Sequence, residues 1–334
     1  MNHRRGETVQ AAQPRTGPPA SHHLPRPIVI LGAVLLVLVA VAVAVVRDLG
    51  SSAPRAQAIM LPDASRSYLG LYERSTISSY AGVDHFAHAI GRQPNIVSSY
   101  IGWGESFQTS FATAALRHGA VPLVQIDPEN IPLPAIAAGR YDAYLRGFAS
   151  AVRAYQHPVI IGFGHEMNAS WYSWGYRHAS PASFVAAWRH IVTLFRSQGA
   201  WNVTWLWTIN VIGQQQAQPV RSPGPWWPGS SYVTWVGIDG YYFERSWTFA
   251  PLFGPTIKAV RALTRDPILV SETAAGTTED QSAKIANLFA GVRAYGLLGF
   301  VWFNVDKEQD WQVTGRAALA AFRQGARTYK RPQP

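Results

Sequence analysis

The chain has 334 residues, 48% hydrophobic, 14% charged and 12% aromatic, which is enough apolar surface for a large core and excludes wholesale disorder. Its net charge of +10 comes from 29 basic against 19 acidic residues, but only four of the basic ones are Lys and no run of four or more basics occurs, which argues against nucleic acid as a partner. Cysteine is absent, so disulfides, thiolate metal sites and a Cys nucleophile are excluded.

Residues 1–27 are rich in Pro, Ser, Ala and Arg and read as a disordered tail. Ile28 to Val46 follow as nineteen uncharged residues, ~28 Å as a helix, which matches a hydrocarbon core. Arg4, Arg5, Arg15 and Arg26 stand against Glu7 alone before this span, so the tail is expected in the cytoplasm and the rest outside, with 28–46 as a single-pass anchor in the cell membrane. Ala56-Gln57-Ala58 offers the alternative of a cleaved, secreted form, but it lies about ten residues past the apolar run. Residues 47–58 read as a linker.

Residues 59–334 carry no second low-complexity break and are close to the ~250 residues typical of one barrel of alternating strands and helices. Eight short apolar or β-branched runs, at 68–73, 96–103, 121–126, 158–164, 203–209, 233–238, 267–271 and 298–303, read as strands. Helical periodicity lies between most of them, at 139–155, 280–295 and 315–324, with shorter connections at 83–92 and 109–118. It is clearest at 181–198, where Ser180 can cap, Pro181 suits the first turn, Phe184, Trp188, Ile191 and Phe195 share a face, and Gly199 stops the helix. The weak link is 213–231, a Pro/Gly-rich loop. The alternation predicts βαβ units and a parallel sheet, hence an α/β (β/α)₈ TIM barrel behind one N-terminal transmembrane helix.

Acidic residues fall at or just after these runs: Glu73, Glu105, Asp127, Glu129, Glu166, Asp239, Glu272 and Asp306. In a barrel such ends converge on one rim, where active sites of this fold are built. Glu166 ends the fourth run and is followed by Trp171, Tyr172 and Trp174; burial against rings would hold its proton, as a general acid for a glycosidic oxygen requires. Glu272 ends the seventh, and a pair of carboxylates ~5–5.5 Å apart serves retaining glycoside hydrolysis. Tyr241 could orient Glu272. Thirteen Trp are more indole than one core readily hides, so Trp103, Trp171, Trp174 and Trp302 are candidates for stacking sugar rings, and Trp226-Trp227 for an exposed grip on outlying sugars. The sequence His165-Glu166-Met167-Asn168 is not HExxH, phosphate-loop and GxSxG motifs are missing, and no metal or cofactor is expected.

Four blocks, HEMNASWYSWG at 165–175, WPGSSYVTWVGIDGYY at 227–242, PILVSETAA at 267–275 and FVWFNVDKEQDW at 300–311, resemble family 26 glycoside hydrolases, the β-mannanases and related endo-glucanases. With YLGLYE and GWGESF the likeness covers nearly all of 68–320. It implies a clan A barrel that works with retention, acid/base Glu166 and nucleophile Glu272. It also implies substrate contacts from His165, Trp171, Tyr241 and Trp302, the last as a sugar platform; Trp103 and Asn168 are further substrate-binding candidates. Departures lie at Gly162-Phe163, where the family often has Arg-Pro, and at Ala169 and Thr234. The expected activity is a monomeric retaining endo-β-glycosidase acting on a β-1,4-linked polysaccharide, mannan first. The alternative is a catalytically silent, membrane-anchored polysaccharide-binding barrel.

Overall fold

The computed structural model describes residues 61–213, 219–277 and 280–329. The tail at 1–27, the apolar span at 28–46 and the linker at 47–58 lie outside the described residues. Among the described residues no helix is long and apolar enough to cross a membrane.

Strands β1 (Tyr68–Tyr72), β2 (Ile96–Gly102), β3 (Val121–Asp127), β4 (Val159–Phe163), β5 (Val203–Asn210), β6 (Trp235–Asp239), β7 (Ile268–Thr273) and β8 (Gly299–Phe303) close into a barrel in chain order. All neighbours are parallel, and β8 returns to β1 with Tyr68 opposite Gly299. Around it lie α1 (Ala81–Ile90), α2 (Thr109–Arg117), α3 (Leu133–Ala137), α4 (Asp142–Tyr155), α5 (Pro181–Ser197), α6 (Phe249–Leu263), α7 (Gln281–Ala294) and α8 (Arg316–Thr328). All eight expected strands are present. Helix α5 is built as the sequence implies: Ser180 Oγ accepts from the Ser183 N–H at 3.1 Å, the four face residues are buried, and Gly199 follows at φ +75°. Helix α6 was not among the helical stretches read from the sequence; its stripe Phe249, Leu252, Phe253, Ile257 and Val260 packs inward, and that burial overrides the low propensity of Pro251, Gly254 and Pro255.

The two-residue period of each strand sorts its side chains. Outward residues join the helices in one large core. Inward residues form a small plug of Tyr68, Ile96, Leu123, Ile160, Leu206, Trp235, Leu269, Leu298 and Val301. One step higher the interior turns small and polar. Gln125 Nε2 donates to Thr208 Oγ1 at 3.0 Å past β4, which is possible only because position 162 is Gly: a Cβ there would meet the Gln125 amide oxygen at 1.7 Å. Gly237 likewise makes room for Ser271 and Thr208. The next step, at the carboxyl ends, carries the chemistry.

Candidate active site

Inward positions at the strand ends bring together Tyr72, Tyr100, Asp127, Asn210, Asp239 and Phe303. Glu272 joins them through an irregularity. Asp239 of β6 faces Glu272 directly after Ile238 faces Val270, and Thr273 faces Trp302 after Val270 faces Phe300, so β7 holds one more residue than either neighbour. Ser271 points inward, with its hydroxyl donating to Asp239 Oδ1 at 2.6 Å, and strict alternation would send Glu272 out to the helices. The bulge turns it in, a use of such features common beside active sites. Half-buried Glu272 accepts one hydrogen bond on each oxygen, from the Tyr241 hydroxyl on Oε1 and the Tyr100 hydroxyl on Oε2.

Glu166 is held differently. The chain leaves β4 through Gly164 at φ +55°, and Glu166 itself sits at φ +55°, a strained region for a residue with a Cβ. Its N–H donates to the Thr208 carbonyl at 2.9 Å, which ties this turn to β5. The side chain, 6% exposed, accepts from Asn210 Nδ2 on Oε1 at 2.6 Å and from Trp171 Nε1 on Oε2 at 2.7 Å. Burial pushes the Glu166 carboxyl up and Glu272 adds to the rise, while His165 and the two N–H donors pull against it. Trp171 therefore stabilises the charged form; the proton is favoured by burial and not by that ring.

His165 is buried between Asp127 Oδ1 at 2.9 Å and the Tyr172 hydroxyl at 3.0 Å. Burial alone would lower the imidazole, but Asp127, its hydrogen bond, Glu166 and Asp239 outweigh that and push it up to about 10. As a cation it donates at both nitrogens. Asp239, with no exposed surface, is pushed well above the usual carboxylate range by burial first and then by Glu272 and Glu166; Oδ2 has no partner among the described residues.

A cavity of about 280 Å³ opens over Glu272, lined by Tyr100, Asp127, His165 and Tyr172 on one side and by Tyr72, Phe303, Val305, Arg74 and Lys307 on the other. No group of residues suited to holding a metal ion occurs among the described residues.

Of the residues singled out by sequence, Glu166, Glu272, His165, Trp171 and Tyr241 meet at this rim. Two expected substrate contacts, Trp302 and Asn168, are corrected. Trp302 is fully buried: it is an outward residue of β8, packed on Phe322 of α8 with centroids 5.6 Å apart, and Nε1 donates to the Trp311 carbonyl at 3.0 Å. Its inward neighbour Phe303 lines the cavity instead. Asn168, with no exposed surface, spends its side chain on the backbone, accepting from the Asn210 N–H at 2.9 Å and donating to the Asn210 and Arg221 carbonyls. Half-buried Trp103 packs on Tyr141, Tyr144 and Phe163 and does not line the cavity. Trp174 is also core, stacked on Tyr172 at 4.4 Å. Trp226 is 3% exposed and Trp227 packs on Trp207 at 5.0 Å, so this pair is not an exposed grip. Sequence reasoning missed Tyr100 and Asn210, each an inward residue at a strand end, and the partners of His165.

Comparison with known proteins agrees with this geometry. Residues 140–289 match the model of glycosyl hydrolase family 26. Over those residues the chain is similar to that glycoside hydrolase family, as its motifs implied. Endoglucanase H of Acetivibrio thermocellus is 29% identical over 266 residues, 75% of this chain and 29% of that protein. Beta-1,3-xylanase TXYA of a Vibrio species is 24% identical over 169 residues, 47% of this chain and 35% of that protein. The chain thus spans about a third of the length of these curated relatives. Among solved structures, a modular endo-beta-1,4-mannanase from Cellulomonas fimi has TM-score 0.63 at 17% identity, covering 79% of this chain and 71% of that one. A family 26 beta-mannanase from Bacteroides ovatus has TM-score 0.60 at 17% identity, covering 79% and 89%. Both share the barrel fold.

Proposed function

We propose that the chain is a retaining endo-β-glycosidase that cleaves β-1,4-linked polysaccharide, mannan first. The observation that carries the reading is the unlike treatment of two carboxyls at one rim. Glu272 faces the open cavity with each oxygen fixed by a phenol, whereas Glu166 is buried with its proton favoured. Glu166 then protonates the leaving oxygen while a Glu272 oxygen attacks the anomeric carbon; the glycosyl ester forms as the glycosidic bond breaks. Glu166, now a carboxylate, takes a proton from water, which attacks the same carbon and frees Glu272. Tyr100 and Tyr241 aim the nucleophile, and His165 places positive charge beside both steps. Support for the polymer comes from the names of the similar proteins, an endoglucanase and mannanases. A silent binder has no need for two glutamates so supported.

Assay of the full chain on mannan, mixed-linkage glucan and xylan tests this, with Glu166→Ala and Glu272→Ala as controls. Hydrolysis lost in both variants is expected; activity unchanged in both sinks the assignment. The placement of the barrel outside the cell on a 28–46 anchor belongs to the same proposal and rests on the apolar run and the Arg residues before it. Protease added to intact cells should remove the barrel; free protein in the medium starting near Ile59 would count against the anchor.

A further inference from the structure

The charged groups on the cavity wall are unevenly engaged. Both acids have partners: Asp127 is paired with His165, and Glu272 takes hydrogen bonds from Tyr100 and Tyr241. The cations are freer. Arg74 follows β1 and Lys307 follows β8, neighbouring strands, so both arrive on the same side of the mouth. Arg74 Nη2 donates to the Asp306 carbonyl at 3.1 Å, and Arg74 has no ion pair among the described residues. Lys307 meets Glu308 at 3.0 Å, but the two side chains are 54% and 55% exposed. A pair so exposed holds its partners weakly, so the ammonium can turn to a ligand. Beneath them Phe303 stacks on Tyr72 at 4.6 Å, with Lys307 5.8 Å over the Phe303 ring. Tyr72 and Phe303 thus give the cavity an apolar wall directly beside the two cations. Both cations act on the Tyr72 phenol, which burial and Glu272 push up and they pull down, so they lie in the same neighbourhood.

We propose that Arg74 and Lys307 form a subsite for an anionic group carried by a sugar beside the scissile one, which makes the substrate an acidic β-glycan bearing carboxylates or ester sulfates. The proposal rests on the glycosidase reading of the same rim and adds charge to the polymer. Arg74 offers a planar fork suited to two-point binding of a carboxylate or sulfate, and Lys307 a point charge that adapts to either.

The test is calorimetric titration of the full chain carrying Glu272→Gln, which keeps oligosaccharides intact. The ligands are a neutral β-1,4-manno-oligosaccharide and the same chain either oxidised to carboxylates or sulfated, each at low and high salt. One or both acidic ligands should bind about tenfold tighter than the neutral one at low salt, and the gap should narrow as salt rises. Arg74→Gln with Lys307→Gln should close the gap between acidic and neutral ligands. The carboxylated and sulfated arms identify which anion is taken. Equal affinities, no binding of either acidic ligand, or a gap that survives the double substitution would each overturn the subsite. Wild-type turnover separates the two proposals. Hydrolysis of neutral glycan without an acidic preference removes the subsite and keeps the glycosidase. Binding of acidic glycan with no hydrolysis of any ligand does the reverse.

Discussion

Glu166 and Glu272 end strands three apart in one barrel, and their surroundings differ in every respect that decides what a carboxyl does. Glu166 is buried on a strained turn, with two nitrogen donors and a histidine beside it. Glu272 looks into the cavity from a bulge and is held by two phenols. Burial taxes the charged form, so the first side chain keeps its proton. Neutral donors on both oxygens fix the second without the tight ion pair a cation would make. In the proposed mechanism one residue type therefore serves as acid and as nucleophile through its setting alone.

The comparison breaks most visibly when either carboxyl is removed. Glu272→Ala should lose roughly 10⁴-fold or more on every substrate, since no covalent step remains. Glu166→Ala should lose roughly 10²–10⁴-fold on polysaccharide but far less on aryl glycosides, whose leaving group needs no proton. Steady-state kinetics on both substrate types separates the two roles; equal losses on both types in both variants would deny the division.

The supports come next. Tyr100→Phe and Tyr241→Phe should each lower kcat by about 10²-fold and KM far less, because each phenol holds one oxygen of the Glu272 carboxylate. A KM effect alone would make them binding residues instead. Trp302→Ala should cost about 3–5 kcal/mol of stability in denaturant unfolding, while the folded fraction keeps its kcat/KM. Loss of kcat/KM without loss of stability would restore Trp302 as a platform.

The smallest effects concern pH. Trp171 donates to the Glu166 carboxylate and so favours ionisation; Trp171→Phe should move the alkaline limb of the kcat/KM profile to higher pH. A move to lower pH would contradict the assigned direction. For His165 the folded value is raised, to about 10 from an ordinary 6.5. The stability it contributes is therefore full below pH 6.5 and lost as pH climbs to about 10. Thermal unfolding across that window should show the decline, and His165→Asn should flatten it.

The barrel was legible because parallel strands buried on both faces read as short apolar runs, and eight of them alternate with helical stripes. Glu166 and Glu272 were legible from strand-end position and from the family blocks around them. What escaped depends on which face a residue takes. At 300–303 (FVWF) nothing in the composition says whether Trp302 or Phe303 points in; that phase is set by pairing with β1 and β7. The extra residue in β7 is equally silent, although it decides where Glu272 points. Tyr100 and Asn210 look like ordinary strand residues until the barrel closes. Helix α6 was hidden by its own prolines, and Trp226 by a loop composition that usually means exposure.

The most direct test of the division between the two glutamates is the anomeric configuration of the glycosyl azide made when azide is added to each alanine variant with an activated β-aryl glycoside, read by proton NMR. The account predicts β-azide from Glu166→Ala, because Glu272 still forms the glycosyl enzyme and azide enters from the opposite face. It predicts α-azide from Glu272→Ala, because azide then displaces the leaving group directly. α-Azide from Glu166→Ala with β-azide from Glu272→Ala would reverse the roles and contradict the account.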